Sequence, residues 1–363
     1  MIDSPGRDVI EVSIFGPGKG ESVLVHLGRN EWIIVDSCIS ARTGKIPALE
    51  YLDEIGVDAR TQVRLVVATH AHDDHFAGIS KVLERCESAD FVCQGALVKE
   101  QFLALVEMDK RLYPEVRKRA LAEYGRVFEI VQDRASAHDG ILPLKFAAQE
   151  RILLDDGDGD GVRVLALSPS DQAHVRAMQA LADAFAVAQS SRKGASIDPN
   201  ELAIALWIEA SDKTVLLGAD LLKGPSGCGW GAILSFFRPA TKATVYKVAH
   251  HGSANAHHDG IWEQLLVADP VALLAPYRPG KPVPGLDDRK RICSLTSKAF
   301  ITAKPDLPSP SKEVRREIAD LGPLARNARE PWGEPGQVRA RSGPDQADWD
   351  IHLVHPARAL TPA

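Results

Sequence analysis

The chain has 363 residues, 45% hydrophobic and 25% charged, an ordinary globular composition within reach of one domain with insertions. A formal net charge of −6 argues against a broad, sequence-blind nucleic-acid surface but leaves a local groove open. Five cysteines, an odd number with no C-x-x-C pair, fit a reducing cytoplasm; the N-terminal stretch does not read as a signal peptide, and no apolar run approaches the ~20 residues of a membrane span.

Residues 9–15 (VIEVSIF) alternate and predict a first strand; 21–27 (ESVLVHL) and 32–35 (WIIV) predict a second and a third. The glycine turn 16–20 lacks the Lys-Ser/Thr ending of a phosphate cradle and reads as a hairpin. Asp36 closes the third strand, and 46–55 has helical spacing. The run 64–69 reads as a buried strand and ends abruptly in His70-Ala71-His72-Asp73-Asp74-His75. Residues i and i+2 of an extended chain point the same way, so His70 and His72 can share one metal. Asp74 and His75, at the next turn, can face a second. Nitrogen and carboxylate donors suit zinc, manganese or iron(II). Residues 76–86 predict a helix whose N-terminal end points back toward the cluster.

A long amphipathic helical segment, 97–130, is interrupted at Pro114. It is expected to belong to an insertion of about 97–150 that forms a lid, a protein-partner surface or a solvated hairpin. The acidic run 155–161 (DDGDGDG) lacks the twelfth-position glutamate of a calcium loop and reads as a turn between strands. A strand (162–167), an alanine-rich helix (173–189), a loop (190–199) and a hairpin (201–209 with 214–217) follow, and Asp220 ends the hairpin's second strand. The strand 244–249 ends in His250-His251-Gly252-Ser253, repeating the logic of the first cluster. A helix is expected at 261–266, a strand at 271–275, and an edge strand at 349–354. One domain over 1–325 with a peripheral tail over 326–363 is the resulting division.

His70, His72, Asp74 and His75 match in full the H-x-H-x-D-H signature, and the chain resembles the metallo-β-lactamase fold superfamily. That resemblance implies an α/β (α+β) four-layer αββα sandwich with the metals at one rim. It also implies that Asp36 supports the metal loop and that Asp220 bridges two metals. LLGADLL followed by YKVAHHGSANAHHDGIW resembles the branch containing the hydrolase domain of the bacterial competence DNA-uptake channel, over roughly 9–80 and 160–305. By that branch's rule His250 or His251 completes the His70/His72 site, and the other faces substrate as a hydrogen-bond donor or acid. The branch's later Gly-His-Pro histidine has no counterpart in 277–286, where Val283 stands in its place. The Asp74/His75 metal is therefore expected to be weaker, absent or ligated from elsewhere, with His258 as a candidate substitute.

The resemblance implies a metal-dependent hydrolase with two divalent ions, zinc before manganese or iron, that make a bound water acidic enough to attack. Asp74, His250 and His251 are the candidate catalytic residues. A phosphodiester, nucleic acid or nucleotide, is the expected substrate, in a phosphodiesterase or nuclease-type reaction, with Lys247, Lys223 and Arg238 as candidate positive charges near it. Esters, lactones, lactams or thioesters are the alternative substrates, and a non-catalytic metal-binding regulatory module is the non-enzyme alternative.

Overall fold

The computed structural model describes residues 3–18, 20–95, 118–137, 139–157, 161–188, 198–305, 311–321 and 334–362. The expected insertion's first part, the loop over 190–197, His138 and the tip of the acidic turn fall outside them. Among the described residues no helix is long and apolar enough to cross a membrane.

The first half of the chain supplies β1 (Ile10–Gly18), β2 (Gly20–His26), β3 (Trp32–Val35), β4 (Val63–Val67), β5 (Asp90–Gln94) and β6 (Leu144–Ala147). Between them lie α1 (Pro47–Glu54), α2 (Ala59–Gln62), α3 (Asp73–Phe76), α4 (Ile79–Arg85) and α5 (Lys118–Ala137). The second half supplies β7 (Arg151–Asp155), β8 (Val162–Ala166), α6 (Asp171–Ala188), β9 (Leu206–Ala210), β10 (Lys213–Leu217) and α7 (Gly229–Phe236). It continues with β11 (Ala243–Lys247), β12 (Leu266–Leu274), α8 (Leu286–Leu295), β13 (Ala299–Ile301) and α9 (Lys312–Leu321). The chain closes with β14 (Gly336–Ser342), β15 (Asp350–Val354) and β16 (Arg358–Ala359). Two eight-stranded sheets result, ordered β15-β14-β1-β2-β3-β4-β5-β6 and β16-β13-β12-β11-β10-β9-β8-β7.

Strand periodicity explains the layers. Ile33, Val35, Leu65 and Val67 point inward and meet Leu206, Ile208, Val215, Leu217 and Val245 of the other sheet. Their neighbours Ile34 and Val66 point outward onto Tyr51, Leu52, Phe76, Ile79 and Leu83. Trp207, Leu216 and Tyr246 point outward onto Trp230, Ile233 and Ile261. Strands buried on both faces read as near-continuous apolar runs, which is why they are visible in the sequence. The architecture is the four-layer αββα sandwich expected above.

Four differences from expectation have physical causes. The helix expected over 76–86 starts later, as α4 at Ile79, because Ala77 is extended and Gly78, with a φ of 84°, separates it from the short α3. The helix expected over 261–266 is a single wide turn, and β12 starts at Leu266; its pairing with β11 shifts register between Ala243 and Val245, so the Ala-Asp-Pro stretch is a bulge rather than a break. The insertion of about 97–150 is, in its described part, a crossover: α5 lies against the first sheet, with Tyr124 stacked on Phe76 at 3.9 Å, and β6 pairs in parallel with β5. Tyr124, Val127 and Val131 of α5 are buried within the chain and are not a free partner surface.

The tail expected to be peripheral over 326–363 instead builds both sheets. β14 runs antiparallel to β1 from Ile10↔Ser342 to Gly16↔Gly336, with Val338 and Ala340 in the core between the sheets. β16 pairs with β13. A strand whose partner lies at the opposite end of the chain leaves no local signal of that pairing. Removing residues 322–363 would open the edge of β1 and uncover this core. The truncated protein is expected to lose its cooperative thermal transition by circular dichroism; an unchanged melt would show that β14 is dispensable.

Candidate metal centre

β3 runs parallel to β4, and β10, β11 and β12 run parallel to one another, so the segments leaving their C-terminal ends meet at one rim. Asp36 follows β3, Thr69 to His75 follow β4, Asp220 follows β10, His250 and His251 follow β11, and Ala275 to Tyr277 follow β12. Asp36, Ala219, His250 and His251 all have positive φ, between 44° and 60°, outside the ordinary range of L-residues. Such strain persists where the surroundings dictate it, and it gathers at functional sites.

Asp36 is buried and fully engaged. Its Oδ1 accepts the Thr69 amide at 2.8 Å, and its Oδ2 accepts the Thr69 hydroxyl and His75 Nδ1, both at 2.7 Å. It therefore orients His75 rather than standing free as a donor to a cation. Because Thr69 gives its proton to Asp36, its Oγ1 accepts from His70 Nδ1, 3.0 Å away. His251 Nδ1 donates to the Ala275 carbonyl at 3.0 Å, and the Tyr277 ring stacks on the His251 ring at 5.4 Å. Three imidazoles are thus held by Nδ1 and turn Nε2 away, the arrangement in which histidine ligates metals.

The Nε2 atoms face acid. Asp220 Oδ2 is 3.2 Å from His75 Nε2 and 3.3 Å from His251 Nε2, and Asp74 Oδ2 is 3.8 and 3.4 Å from them. Close as they are, these contacts are not directed as hydrogen bonds: Nε2 of His70, His75 and His251 and Oδ1 of Asp220 are buried without a hydrogen-bond partner. Leaving each such group unsatisfied costs about 1–3 kcal/mol. Asp74, His75, Asp220 and His251 offer ligand atoms that all lie within 4.8 Å of one another. Nitrogen and carboxylate donors, convergent and otherwise unpartnered, fit a divalent cation.

His70 and His72 lie edge to face at 4.9 Å, and the His70 ring is 4.3 Å from that of His75. The expected asymmetry is reversed here. His251 stands with Asp74, His75 and Asp220, so that set has four donors and is the better furnished, although it was expected to be short of one. His70 and His72 are the pair that lacks a third imidazole among the described residues. His250 does not join either set: its Nδ1 lies 2.9 Å from Asn255 Oδ1 and its Nε2 3.4 Å from Asn200 Nδ2. His258 Nδ1 accepts the Gly260 amide and stays outside the cluster. Among the other histidines, His26 packs on Trp32 in the core, while His352 and His355 are exposed.

Sequence reasoning missed Glu21 and misplaced Lys247. Lys247 is not a substrate-facing charge: it is 1% exposed and ion-pairs with Glu21, itself 2% exposed. A charge inside an otherwise apolar strand was the available signal. Lys223 and Arg238 are exposed, and Arg238 donates to the Leu234 and Phe237 carbonyls at the end of α7.

Burial pushes the His75 and His251 imidazoles down, but carboxylates outweigh it, Asp220 first and then Asp36 for His75 and Glu21 for His251. Both are held well above the ordinary histidine range. Burial similarly pushes Asp220 and Asp74 up, and the His75 and His251 charges outweigh it, so both carboxyls are held well below their ordinary range. His70 and His72 are lowered, chiefly by burial.

Residues 15–143 match the family described as the metallo-beta-lactamase superfamily. That match spans about a third of the chain and covers the first sheet's part of the centre. The matched stretch holds Glu21, Asp36 and His70 to His75; Asp220 and His251 lie beyond it. Among solved structures the chain is similar to the metallo-β-lactamase fold protein YhfI from Bacillus subtilis, at 14% identity and a TM-score of 0.39, over 82% of this chain and 97% of that one. It is also similar to human tRNase Z, short form, at 10% identity and a TM-score of 0.33, over 80% and 89%. No curated protein matches.

Two predictions follow from the geometry of this domain. A Cβ on Gly20, whose φ is 121°, would stand 1.8 Å from the Asp74 carbonyl oxygen. Gly20→Ala is expected to destabilise the fold by at least ~2 kcal/mol in urea titrations, through strain and a backbone clash that no side chain can relieve; an unchanged midpoint would contradict this close approach. The second concerns pH. In the metal-free chain the raised His75 and His251 contribute stability that is complete below their unfolded value of about 6.5 and lost as pH rises through the folded values. The depressed Asp74 and Asp220 contribute stability that is present above about pH 4 and lost as pH falls through theirs. Chelator-treated protein should be more stable at pH 6 than at pH 9, and zinc uptake should release protons into a weakly buffered indicator. Equal stability at both pH values, with no proton release, would contradict the assignment.

Proposed function

We propose that the chain is a metal-dependent hydrolase of phosphodiesters. The observation that carries the metal reading is the set of buried imidazole nitrogens without a hydrogen-bond partner, Nε2 of His70, His75 and His251, the last two turned toward Asp220 Oδ2. Asp74, His75, Asp220 and His251 would hold the tighter cation, and His70 and His72, beside Asp220, a second and weaker one. Zinc suits the donor set best, with manganese or iron as alternatives. Divalent cations supply Lewis acidity there and make water acidic enough to be a nucleophile near neutral pH.

The chain's own residues would then divide the work. Asp74, part-exposed and held ionised, would orient the attacking water. Asp36 and the Ala275 carbonyl keep His75 and His251 turned toward the centre. His250, part-exposed and outside both donor sets, is the candidate hydrogen-bonding partner of the leaving oxygen. The phosphodiester assignment is supported by the resemblance of LLGADLL and YKVAHHGSANAHHDGIW to the competence-channel hydrolase branch. Asn200 and Asn255, which lie against the His250 ring, add polar groups there without adding negative charge.

Metal-reconstituted protein is expected to cleave bis-p-nitrophenyl phosphate. Asp74→Ala and Asp220→Ala should each lower that rate by at least ~100-fold. The same preparation, screened against single-stranded DNA, duplex DNA, RNA and cyclic nucleotides, would name the physiological class. Turnover of lactones or thioesters with every phosphodiester left intact would overturn the substrate assignment.

A further inference from the structure

The donors of the candidate centre come from different sheets. His70, His72, Asp74 and His75 leave the first sheet, whereas Asp220 and His251 leave the second. The apolar layer between the sheets holds them together but is non-directional. Binding sites need their groups placed to within about 0.5 Å. A directional contact crosses between the sheets beside the donors. Lys247, the last residue of β11, ion-pairs with Glu21, near the start of β2, and both are buried.

The surroundings of this pair touch the donors on both sides. Lys247 Nζ donates to the Ala219 carbonyl at 2.8 Å and lies 3.5 Å from Asp220 Oδ1. Ala219 has a φ of 44°, and its carbonyl also accepts the His250 amide at 2.9 Å. The ammonium thus pins the strained turn that presents Asp220, and Oδ2 is left as the oxygen near His75 and His251. Glu21 lies 3.4 Å from His251 Nδ1 and 3.8 Å from His75 Nδ1, on the ring atoms that do not face the centre. Gly20, its neighbour, packs on the Asp74 backbone. A buried ion pair is a poor source of net stability, so its place beside the donors points to positioning.

We propose that Lys247 and Glu21 are positioning residues, an inter-sheet clasp that brings Asp220 and His251 into register with Asp74 and His75 and thereby sets affinity for a divalent cation. This rests on the metal reading above and is independent of the substrate. The test is the double variant Glu21→Gln/Lys247→Met in the full chain, which removes both charges together and strands neither. Folding is followed by circular dichroism and thermal melting of the metal-free protein. Zinc affinity is measured by competition with a chromophoric chelator, and donor geometry by the visible spectrum of the cobalt(II)-loaded protein.

The expected result is a folded variant with zinc bound ~10–100-fold more weakly and an altered cobalt spectrum. Parental affinity and spectrum in the folded double variant would overturn the clasp. Should the double variant fail to fold, Glu21→Gln alone, which keeps Lys247 bonded to Ala219, is read in the same way: weaker binding supports the clasp and parental binding overturns it. A parent that cleaves no phosphodiester while the variant still loses zinc affinity supports the clasp and removes only the substrate assignment. A parent that takes up no zinc overturns both.

Discussion

Four carboxylates, those of Glu21, Asp36, Asp74 and Asp220, are gathered at one rim, and three of them are almost wholly shielded from water. Like charges in a medium of low dielectric repel strongly, and each pays for its lost hydration. The arrangement can persist only where every acid has a donor or a positive neighbour. Thr69 and His75 serve Asp36, Lys247 serves Glu21 and approaches Asp220, and His75 and His251 face Asp74 and Asp220. The positive-φ turns, the parallel strands that end together and the Gly20 contact can all be understood as ways of keeping these acids close without letting them relax apart.

His75 is the hinge of this balance. One ring nitrogen is tied to Asp36, on the side of the first sheet, and the other faces Asp220, on the side of the second. His251 is its counterpart, tied to Ala275 and facing the same carboxylate. The pairing makes Asp220 the shared element of the centre. It also explains why the better-furnished donor set is the one containing Asp74, contrary to what the missing Gly-His-Pro histidine suggested. The loop over 277–286 serves the site in its own way: Tyr277 stacks on the His251 ring, and its backbone pairs with Val283.

What could be read from the sequence divides along the line between local and non-local. The two-sided burial of β3, β4, β10 and β11 writes apolar runs into the chain, so the sandwich was legible. His70 to His75 are neighbours in sequence, so half of the centre was legible too. The orientation of His250 and His251 was not, because both sit in the same left-handed turn and residues distant in the chain, Ala275 and Tyr277 at His251 and Asn200 at His250, decide which of them turns inward. Lys247 resembled a surface lysine because its partner, Glu21, is far away in the chain. The strand at Gly336–Ser342 escaped notice for the same reason, since nothing in its own neighbourhood announces β1.

That last pairing also bears on the order of assembly. β1 lies between β2 and β14, the strand at Gly336–Ser342. The first sheet therefore cannot complete this pairing until residues 336–342 have been made, and until then a nascent chain carries an open, apolar strand. Contacts so distant in sequence make for slow folding. The His70–His75 loop emerges long before Asp220 and His251 do, so any cation met by the growing chain finds an incomplete set of donors. The centre thus becomes complete only once the turns after β10 and β11 have been made, well after its most recognisable motif.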